Sequence, residues 1–207
     1  MNIEDFTTKV NSKNVIVVDV DPPTVFEKGH PFGSKNVQIS RFDWSKDVRK
    51  LMGNETKSVV VYSINSLVAN EAEKLAVQSG LPLEGVFSSS LFDLEKAGIK
   101  IVRIPMMTVD DLRYQMEKFT IIDVREVHEL KSGVIPNSKN LPLSEIKREI
   151  RGLEKGIKYA TICARGNRSR EAANIIIENG YEAVTVEGGM AIWLQKDQEV
   201  SYPEDLN

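Results

Sequence analysis

The sequence predicts an α/β protein made of two tandem copies of one domain, each a mostly parallel sheet flanked by helices. Three observations carry this. Segments of the first half recur, in order, in the second. Short β-branched runs alternate with helix-patterned stretches in both halves. The helix-patterned stretches carry capping residues at their ends.

In the first copy, "NIEDF" (2–6) places Asn2 three positions before Asp5, a helix start of the capping-box kind with Asp for the usual Glu. Strand-like runs follow at 15–20 ("VIVVDV"), 59–62 and 84–87, with helix-like "NEAEKLAVQSG" at 70–80. The second copy repeats the series. "TVDDL" (108–112) pairs Thr108 with Asp111, and "TIIDV" (120–124) aligns Asp123 with Asp19 at an offset of 104. "SKN" recurs at 34–36 and 138–140 with the same offset. After one length change the offset is 100: "KYATIC" (158–163) faces "SVVVYS" (58–63), and "REAANIIIENG" (170–180) faces 70–80. "AVTVEGGM" (183–190) then faces "EGVFSSS" (84–90). Strands are expected at 120–124, 159–162 and 183–186. Between the last two, Ala172, Ala173, Ile175, Ile176 and Ile177 form a wide apolar surface that stops at Gly180, a buried helix. The expected domains are 1–103 and 104–207, joined near "GIKIVRIPMM".

Of the 207 residues, 41% are hydrophobic and 28% charged, the profile of a soluble globular protein. The net charge of −3 offers no basic field for nucleic acid. Runs such as Val15–Val18 are far below the roughly 20 apolar residues of a membrane helix. The start "MNIEDFTTKV" lacks a basic segment and an apolar one, so no signal peptide and a cytoplasmic protein are expected. One cysteine excludes an internal disulfide, and with two histidines no metal or cofactor is expected.

That cysteine opens "CARGNRSR" (163–170). It ends a strand and precedes a helix, and reactive loops of open parallel sheets lie at such carboxyl ends. The first-turn amides of the helix lack intrahelical partners, and its dipole favours negative charge there. Gly166 and Asn167 suit a loop that curls its amides inward as an anion-binding nest. Arg165, Arg168 and Arg170 can add positive charge. Together these favour a thiolate without a neighbouring base. Arg168 lies inside the loop and is the better candidate for touching an anion, while Arg170 suits an exposed first turn.

These residues resemble the rhodanese family. The second half carries most of the likeness: "IIDVREVHELKSGVIPNSKNLPL" (121–143), the active-site-like loop "CARGNRS" (163–169) and "VEGGMAIW" (186–193). The family's usual Gly-His-Ile-Pro-Gly stands here as "GVIPN", with Val134 for His and Asn137 for Gly, a departure expected to be structural. The resemblance implies sulfur transfer. Cys163 is then the nucleophile that holds a sulfane sulfur as a persulfide, with thiosulfate or a similar small anion as donor. The acceptor is a thiol or cyanide, or a thiol carried by a protein. Ala164, Arg165, Gly166, Asn167, Arg168 and Ser169 form the cradle, with Arg125 also among the substrate-binding residues. Arg125 has two further options, pairing with Glu126 or with Glu129. Asp123 is expected to bond loop amides, and Trp193 with Gly188 and Gly189 to pack beside the loop.

In the first copy Ser63 stands for Cys163, Ser66 for Gly166, Val68 for Arg168, Asp21 for Arg125, and Ser88–Ser89 for the glycine pair. A serine there has no activating base and forms no persulfide, so this copy is expected to be inactive. By the same resemblance it shapes access to the second, and His30 is a turn residue. Two other readings stay open. A cysteine phosphatase or arsenate reductase loop has five residues between Cys and Arg, whereas four separate Cys163 from Arg168. A persulfide sensor or sulfur-relay role would need an outside thiol, since the chain has no second cysteine.

Overall fold

The computed structural model describes residues 1–39, 43–53 and 55–202; positions 203–207, the end of the expected second domain, lie outside the described residues. The chain divides into two compact units, Met1–Arg103 and Ile104–Asn207.

The first unit runs α1 (Ile3–Val10), β1 (Val15–Asp19), α2 (Pro23–Phe26), β2 (His30–Pro31), β3 (Lys35–Asn36) and α3 (Trp44–Met52). It continues with β4 (Ser58–Ser63), α4 (Ser66–Gln78), β5 (Leu83–Ser88), α5 (Leu91–Lys96) and β6 (Ile101–Val102). Asn2 caps α1 through the Asp5 amide at 2.8 Å. The main sheet has the order β3-β1-β4-β5 and is parallel throughout, while β2 and β6 form a separate antiparallel ribbon. Strand periodicity sorts the apolar run of β1 onto two faces. Val18 packs with Val59, Val61, Trp44 and Ala72, whereas Val17 packs with Val60, Tyr62, Phe6 and Leu94. Burial on both faces explains why these strands read as nearly continuous valine.

The second unit runs β7 (Met106–Met107), α6 (Val109–Tyr114), β8 (Thr120–Asp123), a 3-10 turn (Val127–Ser132), β9 (Lys139–Asn140) and α7 (Leu143–Glu149). Then come β10 (Lys158–Ile162), α8 (Asn167–Glu178), β11 (Glu182–Val186) and α9 (Gly189–Gln195). Thr108 and Asp111 form a reciprocal capping box on α6. The sheet, β7-β11-β10-β8-β9, is entirely parallel. Its core gathers Leu112, Ile121, Ile135, Ala160, Ile162, Met190 and Trp193. Helix α8 buries Ala172, Ala173, Ile175 and Ile176, leaves Ile177 half-buried, and turns out of the helix at Gly180. Asn137 takes the left-handed φ of 63°, a conformation that Asn tolerates better than other side chains. Val134 exchanges two 2.9 Å backbone hydrogen bonds with Ser201. Of the two departures from the family turn, that of Asn137 thus bears on the backbone, while the bonds at 134 are main-chain bonds independent of its side chain. Among the described residues, no helix is long and apolar enough to cross a membrane.

Candidate active site

Cys163 leaves the end of β10, the middle strand of its sheet, and its loop runs into the first turn of α8. Its side chain is 2% exposed. The Gly166 amide donates to Sγ at 3.1 Å, and Ser169 Oγ lies 3.7 Å from the sulfur. Gly166 reaches this geometry at φ 102°, where a side chain is strained.

The loop is held from its other side by α9. The Met190 amide donates to the Cys163 carbonyl at 2.8 Å, and the Ala191 amide to the Ala164 carbonyl at 3.0 Å. In a trans peptide the carbonyl and the following N–H point oppositely, so the amides of Ala164 and Arg165 face away from α9. A β-carbon on Gly189 would lie 2.2 Å from the Cys163 carbonyl oxygen. The glycine thus permits the approach that orients the loop. Trp193 is buried in the same helix and donates from Nε1 to the Glu199 carbonyl at 2.9 Å.

Three hydroxyls lie under the loop. Ser169 Oγ donates to the Gly166 carbonyl at 2.9 Å and accepts from Thr185 Oγ1 at 2.9 Å. The Ser169 carbonyl accepts from Thr161 Oγ1 at 2.8 Å. Thr161 and Thr185 are cross-strand partners on β10 and β11. Sequence reasoning passed over both, because a threonine in an apolar strand reads simply as a β-former.

The arginines divide. Arg165 is exposed and forms no ion pair among the described residues. Arg168 grips Glu129 with both arms, Nη1 to Oε2 at 2.5 Å and Nη2 to Oε1 at 2.7 Å. Hydrogen bonding from Arg168 carries the Glu129 carboxyl down to about 2, despite partial desolvation, and the pairing holds the guanidinium well above its ordinary range. Glu129 is a site residue that the sequence analysis had only as an option for Arg125. Arg170 Nη1 donates to the exposed Asn167 side chain at 3.2 Å. Ala164 is half-buried.

Arg125 requires a correction. It was expected among the substrate-binding residues, or paired with the Glu126 or Glu129 side chain; instead it is buried and pairs with Asp123. Nε bonds both Asp123 oxygens at 3.0 Å, and Nη2 reaches Oδ2 at 2.5 Å and the Gly133 carbonyl at 2.8 Å. Nη1 reaches Ser132 Oγ at 2.9 Å and the Glu129 carbonyl at 3.3 Å. A guanidinium has five N–H donors, and these partners use them all. No donor remains for an incoming anion, so Arg125 holds the loop after β8 in shape. Asp123 also accepts the Arg125 amide at 3.0 Å.

The matching loop of the first unit is built differently. Asp21 accepts the Ser63 hydroxyl at 2.5 Å and the Ile64 amide at 2.9 Å. A carboxylate of the protein itself thus occupies two of the loop's donors. His30, expected as a turn residue, instead lies on β2, fully buried and stacked on Phe26, with Nδ1 2.8 Å from the Phe26 carbonyl. Among the described residues, no group of three or more His, Cys, Asp or Glu could hold a metal ion.

Comparison with known proteins follows the same division. The Rhodanese-like domain model matches residues 2–93 and again 108–196. The putative sulfurtransferase YtwF of Bacillus subtilis is 36% identical over 77 residues, covering 37% of this chain and 75% of that protein. The putative sulfur carrier protein YrkF of Bacillus subtilis is 29% identical over 99 residues, covering 46% of this chain and 54% of that one. Among solved structures, a rhodanese-related protein from Thermoplasma volcanium shares 38% identity with a TM-score of 0.47, over 48% of this chain and 99% of that chain. Two matches of one family model, together spanning most of the chain, establish that it belongs to the rhodanese-like domain family, the family of sulfurtransferases, and carries that domain twice.

Proposed function

We propose that the chain is a sulfurtransferase that works through a persulfide on Cys163. The thiolate attacks the outer sulfur of a small anionic donor such as thiosulfate. The S–S bond of the donor breaks, its electron pair leaves with sulfite, and Cys163 becomes a persulfide. A thiol or cyanide then attacks the outer sulfur and restores the thiolate. The observation that carries this reading is the Gly166 amide, which donates to Sγ at 3.1 Å from the entry of α8. An amide aimed at Sγ stabilises the negative charge of the attacking thiolate, and of the same atom when it is restored as leaving group.

In this reading the donor anion meets the exposed Arg165 first. Arg168 adds less charge than its type suggests, because Glu129 offsets it. Residues 1–103 are the inactive domain and 104–207 the catalytic one. The first unit has no thiol to carry a persulfide, and the carboxylate beside its Ser63, which the residue pattern did not reveal, takes the Ser63 hydroxyl and the Ile64 amide.

The test is an intact mass after incubation with thiosulfate and desalting. The expected result is a gain of one sulfur atom, absent in Cys163→Ser, kept in Ser63→Ala, and reversed by cyanide with release of thiocyanate. No gain with thiosulfate, polysulfide or mercaptopyruvate would overturn the proposal, and a phosphate-ester assay would then examine the phosphatase alternative.

A further inference from the structure

We infer that Thr185 is a positioning residue for Cys163, acting through the hydroxyl of Ser169. This deepens the reading of Cys163 as the working sulfur and rests on it. Thr185 is on β11, 1% exposed, and Ser169 on α8 is fully buried. The oxygen of Ser169 links the two, bonded to Thr185 at 2.9 Å and lying 3.7 Å from the sulfur.

Hydrogen-bond accounting gives the mechanism. With Cys163 as a thiol, Ser169 Oγ accepts from Thr185 at 2.9 Å and from the thiol at 3.7 Å, and donates its own hydrogen to the Gly166 carbonyl at 2.9 Å. The hydroxyl is then saturated: two lone pairs and one hydrogen, all used. When the sulfur loses its proton it needs donors, and the hydrogen of Ser169 is within a short swing of it. That swing leaves the Gly166 carbonyl, which keeps a second donor, the Arg170 amide at 3.2 Å. No buried acceptor is orphaned. Thr185 keeps its bond to Ser169 in both states and holds the oxygen against rotation. Thr161 fixes the same residue by its carbonyl, so Ser169 is gripped from two adjacent strands.

The first unit is an internal control. There Val61 occupies the place of Thr161, Ala69 that of Ser169, and Val86 faces Val61 across the strands. All three hydroxyls are missing where the thiol is missing.

The experiment measures alkylation of Cys163 by iodoacetamide at pH 7, followed by intact mass, with the rate of persulfide formation alongside. Thr185→Val keeps the shape and removes the hydroxyl. It should slow alkylation about fivefold, the scale of one lost hydrogen bond between uncharged groups. It should lower kcat with little change in the KM of the donor. Thr185→Ser should restore the rate to within about twofold of the unaltered protein. On a Ser169→Ala background, Thr185→Val should add no further slowing, because the link is already gone. An unchanged alkylation rate in Thr185→Val, no rescue by Ser, or further slowing on the Ser169→Ala background would each overturn the inference. If Thr185→Val fails to fold, Thr185→Ala is read by the same criteria. Alkylation needs no sulfur donor, so a chain that alkylates as expected yet takes up no sulfur would sink the proposed function and leave this inference standing.

Discussion

Arg168 of the Cys163 loop is tied at two points, 2.5 and 2.7 Å, to Glu129 of the 3-10 turn after β8. The loop is therefore less positive than its three arginines imply. Arg165, by contrast, is exposed and forms no ion pair among the described residues.

Glu129→Gln should expose that hidden charge. Gln keeps an acceptor for the Glu126 amide, which Glu129 now binds at 2.9 Å, but no longer neutralises Arg168. The KM for thiosulfate should fall by about threefold or more, with kcat nearly unchanged, a modest effect because the pair is partly solvated. Steady-state kinetics decide it, and an unchanged KM would remove Arg168 from anion recognition. The same pair has a pH signature. Burial opposes ionisation of Glu129, yet Arg168 lowers its pKa from 4.5 to about 2. The stability it contributes is thus present above about pH 4.5 and lost as pH falls toward 2. Acid titration of the variant should lack that part of the loss.

Arg125→Met should damage stability rather than substrate binding. It leaves Asp123, 1% exposed, as a buried charge without its counterion. Breaking a buried pair from one side costs about 3–5 kcal/mol, to be read from urea unfolding. Adding Asp123→Asn should recover part of the loss, since both halves of the pair are then gone. A cost below about 0.5 kcal/mol in the single variant would refute the structural role.

Asp19 makes the first unit pH-sensitive in the opposite direction. Burial, then the neighbouring charge of Asp21, pushes its carboxyl up from 3.8 to about 8, and Oδ2 has no hydrogen-bond partner. A raised carboxyl contributes its stability fully below about pH 4 and loses it as pH rises through about 8. Thermal unfolding between pH 5 and 9 should therefore show a decline that Asp19→Asn flattens. An equal decline in both proteins would rule out Asp19 as its source.

The repeat was legible because both copies kept the same doubly buried strands. The recurring "SKN" was legible as a repeat but not as a device. Asn36 bonds the carbonyls of Asp19 and Asp21, and Asn140 those of Asp123 and Arg125, so the two asparagines clasp the loops that follow β1 and β8. The position of Cys163 at a strand end could be read from local pattern alone. The fate of Arg125 could not, since its last donors are taken by Ser132 and two carbonyls that the turn brings round. Thr161 and Thr185 were invisible for a similar reason. Their pairing depends on the register of β10 against β11, which no spacing along the chain encodes.

The carboxylate of Asp21 on the Ser63 loop has a consequence for anyone who would build a second reactive sulfur into this chain. With an internal anion bonded to the Ser63 hydroxyl and the Ile64 amide, a cysteine placed at position 63 would meet a negative charge where it must itself become negative. Exchanging Ser63 alone would therefore graft the atom without its surroundings, and Asp21 would have to be exchanged with it.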